Sequence, residues 1–379
     1  MPDIWSKYTL TAARAHDPAR IDARRPRSGT LDIHSHVMIE AAADLVKPHL
    51  PPAQATAAQD TIALGKKQDA DRHSRLTTLN ERLVDLDAMG IAVQAIKPTP
   101  MQCYYNVPPE IALKAARMIN DGLAEFAARR PDRFVPFGTV PLPDADAAAA
   151  ELERCMSKMG FKGVQILTNV NGRELSDPAF DPFWAKAEAL RALVVIHPQG
   201  FTAPSRLARY YFNNVIGNPL DTTIAVHNLI FDGVLERFPD LRILAVHGGA
   251  FAAAYSGRMD HAWGARSDSH GALPKPPTHY LRKFYFDTVV FTPHQLENLV
   301  RVFGPDRILM GTDYPYDMGE YDPVGHVASV EGFDDKTIAA IAWLERSALL
   351  VALILVAVVG VALALWLRLR DIRRHQAQT

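Results

Sequence analysis

The sequence predicts an α/β fold, a (β/α)8 barrel with an apolar, membrane-like helix at its C-terminal end. Three observations carry that prediction. Eight short apolar runs with strand character recur along the chain, and helical periodicities lie between most of them. Residues able to hold a metal or move a proton sit just after several of those runs, where such a barrel collects its chemistry. An unbroken apolar stretch then closes the sequence.

The strand-like runs are 31–37, 92–97, 134–140, 163–168, 193–197, 242–247, 284–290 and 308–312. Helical spacing of apolar residues predicts helices over 76–89, 109–130, 145–159, 182–192, 222–238 and 293–303. Several of these stop as helices stop, at Met89-Gly90, Arg130-Pro131, Met159-Gly160 and Phe238-Pro239.

The chain has 379 residues, 48% of them apolar and 22% charged, with a formal net charge of -1. That balance excludes the basic surplus on which nucleic-acid binding depends. Its two cysteines, Cys103 and Cys155, cannot build a disulfide framework and fit a reducing compartment.

Residues 1–30 lack the apolar core of a signal peptide, carry Asp3, Asp17 and Asp22 among their arginines, and read as a solvated basic leader. Residues 31–342 are expected to form the barrel, with 48–72 as an insertion or lid. The stretch 348–367 has no charge and would span about 30 Å as a helix, the thickness of a bilayer core. Arg368, Arg370, Arg373 and Arg374 flank it. The absence of an export signal places the catalytic domain in the cytoplasm with 343–379 as a tail anchor, whereas the charge rule favours the opposite topology.

The most informative motif is Leu31-Asp32-Ile33-His34-Ser35-His36-Val37. Residues two apart on a strand share a face, so both imidazoles aim at one place. Burying them together is costly without a common partner, and a divalent metal is the obvious one. The fifth strand ends in His197-Pro198, the sixth in His247-Gly248-Gly249 and the eighth in Thr312-Asp313-Tyr314-Pro315. His34, His36, His197 and Asp313 together supply three imidazoles and a carboxylate, leaving room for water or substrate as a catalytic site requires. His247 is then the spare acid/base. His227 lies within an apolar helix and reads as packing, and Cys103 beside Tyr104-Tyr105 sits on a loop near the mouth.

Taken together these residues resemble the decarboxylase branch of the amidohydrolase superfamily. The likeness also rests on 85–95, Arg133-Phe134, 138–142, 159–166, 245–251 and 257–261, and spans about residues 30–342. It implies a distorted (β/α)8 barrel holding one zinc, or manganese in some relatives. The metal ligands fall at His34, His36, His197 and Asp313, and the catalytic histidine at His247. Arg258 matches an arginine that binds the substrate carboxylate across a dimer interface, which implies a homodimer acting on a small carboxylate.

The resemblance implies metal-dependent, non-oxidative decarboxylation of an aromatic or enoic acid, such as a carboxymuconate semialdehyde or a hydroxybenzoate, with Asp313 a ligand that can also carry a proton. Two departures bear on the substrate: Gln199-Gly200-Phe201 follows the fifth-strand His-Pro, and a second substrate arginine is offered only by Arg72 or Arg75. From Trp343 onward the sequence leaves the family pattern. Two rivals stand beside this reading: hydrolysis of a lactone or amide at the same site, and an inactive membrane-tethered scaffold.

Overall fold

The computed structural model describes residues 23–24, 29–52, 57–201 and 204–342. Two parallel sheets form the frame. The first pairs β1 (Leu31–Val37), β2 (Val93–Pro98) and β3 (Phe134–Pro136); the second runs β11 (Ile308–Leu309), β10 (Tyr285–Asp287), β9 (Arg242–Ala245), β8 (Leu193–His197), β5 (Gly163–Leu167) and β4 (Gly138–Thr139). They join into a ring. On one side the Ile33 amide donates to Met310 at 2.8 Å and Ser35 bridges Tyr314. On the other, the Phe137 amide donates to Ile96 at 2.9 Å.

The predicted run 134–140 is therefore two strands rather than one. Phe137 interrupts it and turns its ring into the barrel, among the apolar residues that fill the interior. That interior layer comprises Leu31, Ile33, Ala95, Phe137, Leu193, Val195, Leu244, Val246 and Leu309. Alternate residues such as Ile96, Val164, Ile166, Val194, Ile196 and Ile243 face the surrounding helices. Strands buried on both faces read as continuous apolar runs, which is why they were visible in the sequence. Each such side chain, fully buried, contributes about 1.5–3 kcal/mol.

Two predicted helices are broken. The pattern over 76–89 divides at Thr78, whose extended backbone (φ -108°, ψ 148°) separates the helix Gln59–Thr77 from Leu79–Met89. The pattern over 222–238 divides at Gly233, at φ 71°, into Asn218–Phe231 and Val234–Arg237. Apolar spacing continues across both breaks, so periodicity could not reveal them. The expected insertion 48–72 contributes most of the helix Gln59–Thr77, which carries Asp69, Arg72, His73 and Leu76 to the barrel mouth.

A small antiparallel hairpin, β6 (Asn169–Val170) with β7 (Arg173–Glu174), was not expected. Its turn is Asn171-Gly172, at φ 53° and 83°. Asn-Gly is the pair a two-residue hairpin favours, because both positions need positive φ, so the signal was present in the sequence.

Arg24 in the leader is not wholly solvated. Its guanidinium donates to the carbonyls of Ala328 and Val330 at 3.0 and 3.1 Å and also to that of Phe333. Among the described residues no helix is long and apolar enough to cross a membrane, and the expected span 348–367 lies outside them.

Candidate metal centre and active site

Four of the predicted residues converge. His34, His36, His197 and Asp313 each present a ligand atom, all within 4.8 Å of one another, and all four residues are buried. His34 and His36 reach this point by a route that alternation alone does not predict. Leu31 and Ile33 already face the barrel interior, so simple alternation would send His34 outward. The β1–β2 register instead shifts between Asp32 and Ser35, and this bulge turns His34 and His36 inward.

Asp32 holds the bulge. One carboxylate oxygen accepts from the His34 and Thr312 amides at 2.9 and 3.1 Å; the other accepts from Gln94 Nε2 and Thr312 Oγ1, each at 2.7 Å. His197 ends β8 without any such device. Asp313 follows β11 at φ 59°, with its amide on the His34 carbonyl at 2.8 Å.

The hydrogen bonds fix which imidazole nitrogen is free. His36 Nδ1 lies 3.0 Å from the Pro98 carbonyl and His197 Nδ1 lies 2.7 Å from the Pro198 carbonyl. A carbonyl only accepts, so both Nδ1 atoms carry the proton and both Nε2 atoms expose lone pairs. His34 Nδ1 meets Asp287 Oδ2 at 2.7 Å, leaving its Nε2 facing His36 Nε2 at 3.3 Å. Lone pairs this close repel unless a cation lies between them. His197 Nε2 is buried with no hydrogen-bond partner.

Asp313 Oδ1 stands 3.0, 3.3 and 4.0 Å from Nε2 of His36, His34 and His197. Four atoms placed tetrahedrally at zinc–nitrogen distance are about 3.4 Å apart. The set fits a divalent metal.

Electrostatics agree. Burial lowers His36 to about 4 and His197 well below the usual range, keeping both neutral as ligands must be. At His34 burial also pulls downward, but Asp313 and Asp287 outweigh it and raise the group to about 9. The cluster therefore calls for positive charge at its centre. Burial raises Asp313, yet the surrounding histidines hold it well below the carboxylate range.

His247 stands beside the set rather than in it. Its Nε2 is 3.5 Å from Asp313 Oδ2, the oxygen turned away from the other imidazoles. It sits at φ 55°, followed by Gly248 and Gly249 at 63° and 71°. The glycines are needed there: a Cβ would meet Val290 at 2.3 Å on Gly248 and Phe286 at 2.4 Å on Gly249.

Two cavities lie near this centre. The larger, about 890 Å³, has Tyr316 in its wall, and the Tyr316 ring packs against His36 at 5.2 Å. Arg72 lies over the Tyr316 ring at 4.6 Å and pairs with Asp69 and Asp317. Lys47, His73, Gln199, Thr168, Asn169 and Asp221 also line it. The smaller, about 500 Å³, is lined by His247 and Asp313 together with Val289, Val290, Phe251, Leu299 and Met318.

Of the two candidate arginines, Arg72 is at the cavity, whereas Arg75 is engaged by Asp85 and Glu81. Arg258 is exposed on the helix Gly257–Ala265 and lines neither cavity of its own chain. His227 is confirmed in a packing role, bonding the Thr223 carbonyl and stacking on Phe231. Cys103 lines the larger cavity, and Cys155 is buried in the core.

Three residues went unremarked in the sequence. Asp287 orients His34 and accepts from the Gly248 and Val289 amides; despite burial, these partners lower it below the carboxylate range. It ends the seventh barrel strand, the same signal that marked Asp313. Lys97, at the end of β2, is buried in the barrel, and its ammonium donates to the Ile33 carbonyl. Asn171, on the hairpin, helps wall the larger cavity.

Ring, candidate ligand set and adjoining histidine are the parts of a metal-dependent barrel enzyme. The chain belongs to the amidohydrolase family, whose model matches residues 32–344. Within that family it stands with the non-oxidative decarboxylases. It is 33% identical over 257 residues to 2-amino-3-carboxymuconate-6-semialdehyde decarboxylase of Dictyostelium discoideum, covering 68% of this chain and 72% of that one. It is 29% identical over 283 residues to gamma-resorcylate decarboxylase of Rhodococcus jostii, covering 70% and 81%. The crystal structure of 5-carboxyvanillate decarboxylase from Sphingomonas paucimobilis superposes with a TM-score of 0.75 at 23% identity, over 85% of this chain and 98% of the other.

Proposed function

We propose that this enzyme removes carbon dioxide from a small aromatic or enoic acid that carries an oxygen substituent next to the reacting carboxylate. The observation that carries the proposal is the two-sided contact of Asp313, with Oδ1 among the three ligand imidazoles and Oδ2 toward His247. One carboxylate thereby connects metal binding to proton movement.

His34, His36, His197 and Asp313 would hold the metal and leave a further position for the substrate, with zinc favoured over manganese because imidazole nitrogen, three of the four ligands, suits zinc. When bound it supplies Lewis acidity toward the substrate oxygen. His247 carries the proton on Nε2, exchanges it with Asp313 Oδ2, and delivers it to the carbon bearing the carboxylate. A C–H bond forms there, the C–C bond breaks, and the carboxylate leaves as carbon dioxide. Arg72 receives the acidic end of the substrate in the larger cavity. Arg258, exposed and absent from the walls of both cavities, is assigned to the carboxylate site of a second copy, which makes a homodimer part of the proposal.

The test is to incubate metal-loaded protein with hydroxybenzoate-type and carboxymuconate-type acids. Carbon dioxide and the decarboxylated product should appear in equal amounts. Turnover of a lactone or amide with no carbon dioxide from any acid would replace decarboxylation by hydrolysis. Sedimentation of the native protein, with an Arg258→Ala variant assayed beside it, tests the dimer.

A further inference from the structure

Lysine is among the residues least often buried whole, and its ammonium is costly to remove from water unless countercharge surrounds it. Lys97 is 0% exposed. Its neighbour Ala95, two residues back on β2, lies in the interior apolar layer, so Lys97 also points into the barrel, one step closer to the mouth. Its register partner on β1 is the ligand His36. The Phe137 ring lies 5.7 Å from Nζ. The cation therefore sits between the apolar layer and the metal ligands.

Two features there call for it. The first is the bulge that turns His34 and His36 inward. Ile33 lies within the shifted register, and its carbonyl accepts from Lys97 Nζ. The second is charge. Asp32, Asp287 and Asp313 are all buried, and each lies close enough to act on the Lys97 ammonium. Asp287 also accepts from two backbone amides, which favour its ionised form, whereas burial raises Asp32.

We propose that Lys97 is a positioning residue of the metal centre, capping the bulge carbonyl of Ile33 and supplying the fixed positive charge against which Asp32, Asp287 and Asp313 are held. Burial lowers its ammonium, and the three carboxylates act in the opposite direction. This inference rests on the metal-centre reading above, and it separates two tasks of one side chain. Glutamine at position 97 keeps a donor for Ile33 and removes the charge; methionine removes both.

The experiment measures Tm of wild type, Lys97→Gln and Lys97→Met with metal stripped and with zinc restored, and zinc affinity by chelator competition. Without Lys97 the stripped protein holds an uncompensated excess of buried negative charge, so its Tm should fall more than that of the loaded protein. The rise in Tm on adding zinc should be larger in both variants than in wild type. Zinc should also bind Lys97→Gln more tightly, by about tenfold or more, because a nearby like charge is gone. Lys97→Met should have the lower stripped Tm of the two, its bulge carbonyl being uncapped. A side chain serving only as packing would lower stripped and loaded Tm equally. A zinc-induced rise in Lys97→Gln no larger than in wild type overturns the charge role, and Lys97→Gln decides the matter even where Lys97→Met does not fold. A wild-type protein that gains no Tm from zinc would instead sink the metal centre itself.

Discussion

The two cavities near the ligand set differ in the charge on their walls. The larger, about 890 Å³, has charged and amide side chains on its walls, among them Arg72, Asp69, Lys47, Asn169 and Asp221. The smaller, about 500 Å³, surrounds His247 and Asp313 with apolar side chains such as Val289, Val290 and Leu299 and with the amides of Asn214, Asn218, Gln295 and Asn298, and Asp313 is its one carboxylate. The contrast teaches a division of labour. On the proposed function, the charged wall recognises an acid, and the proton moves in the smaller cavity between His247 and Asp313. Asp313 faces His247 through Oδ2 and the imidazoles of His34 and His36 through Oδ1.

That contrast can be broken most completely at Asp313. Asp313→Ala should lose both bound metal and turnover, measured by metal analysis and carbon dioxide release; full metal content would remove Asp313 from the ligand set. His247→Ala acts on the smaller cavity alone, lowering kcat about 10²–10⁴-fold with metal content unchanged. Loss of metal in that variant would make His247 a ligand rather than an acid/base.

Asp287→Asn leaves all four ligands in place but weakens the bond that orients His34. Metal affinity should fall about 10–100-fold, with excess metal restoring most of the rate. The smallest expected effect lies on the polar wall. Arg72→Ala should raise KM for an acid by about tenfold while kcat stays near wild type, the signature of lost ground-state binding. A fall in kcat with KM unchanged would move Arg72 into the proton chemistry and dissolve the distinction between the cavities.

The strand-end rule was enough to pick out His34, His36, His197, His247 and Asp313, because barrel strands buried on both faces are apolar up to the residue that emerges at the mouth. The same rule applied to Phe286-Asp287 would have found Asp287. Asn171-Gly172 announced a hairpin that apolar periodicity had no means of showing. Helix breaks at Thr78 and Gly233 escaped because apolar spacing runs through both.

What the sequence determined by itself was the α/β alternation and the chemical identity of the ligand set, since both are written in local pattern. Tertiary structure decided how those ligands face one another. His34 is oriented by Asp287, a residue 253 positions away. The inward turn of β1 depends on a bulge that Asp32 pins to Gln94 on β2 and to Thr312 just beyond β11, both contributed by distant parts of the chain. Local pattern fixes which face a strand offers only while its register holds. A register shift is settled by the neighbouring strand, and the neighbour exists only once the ring has closed.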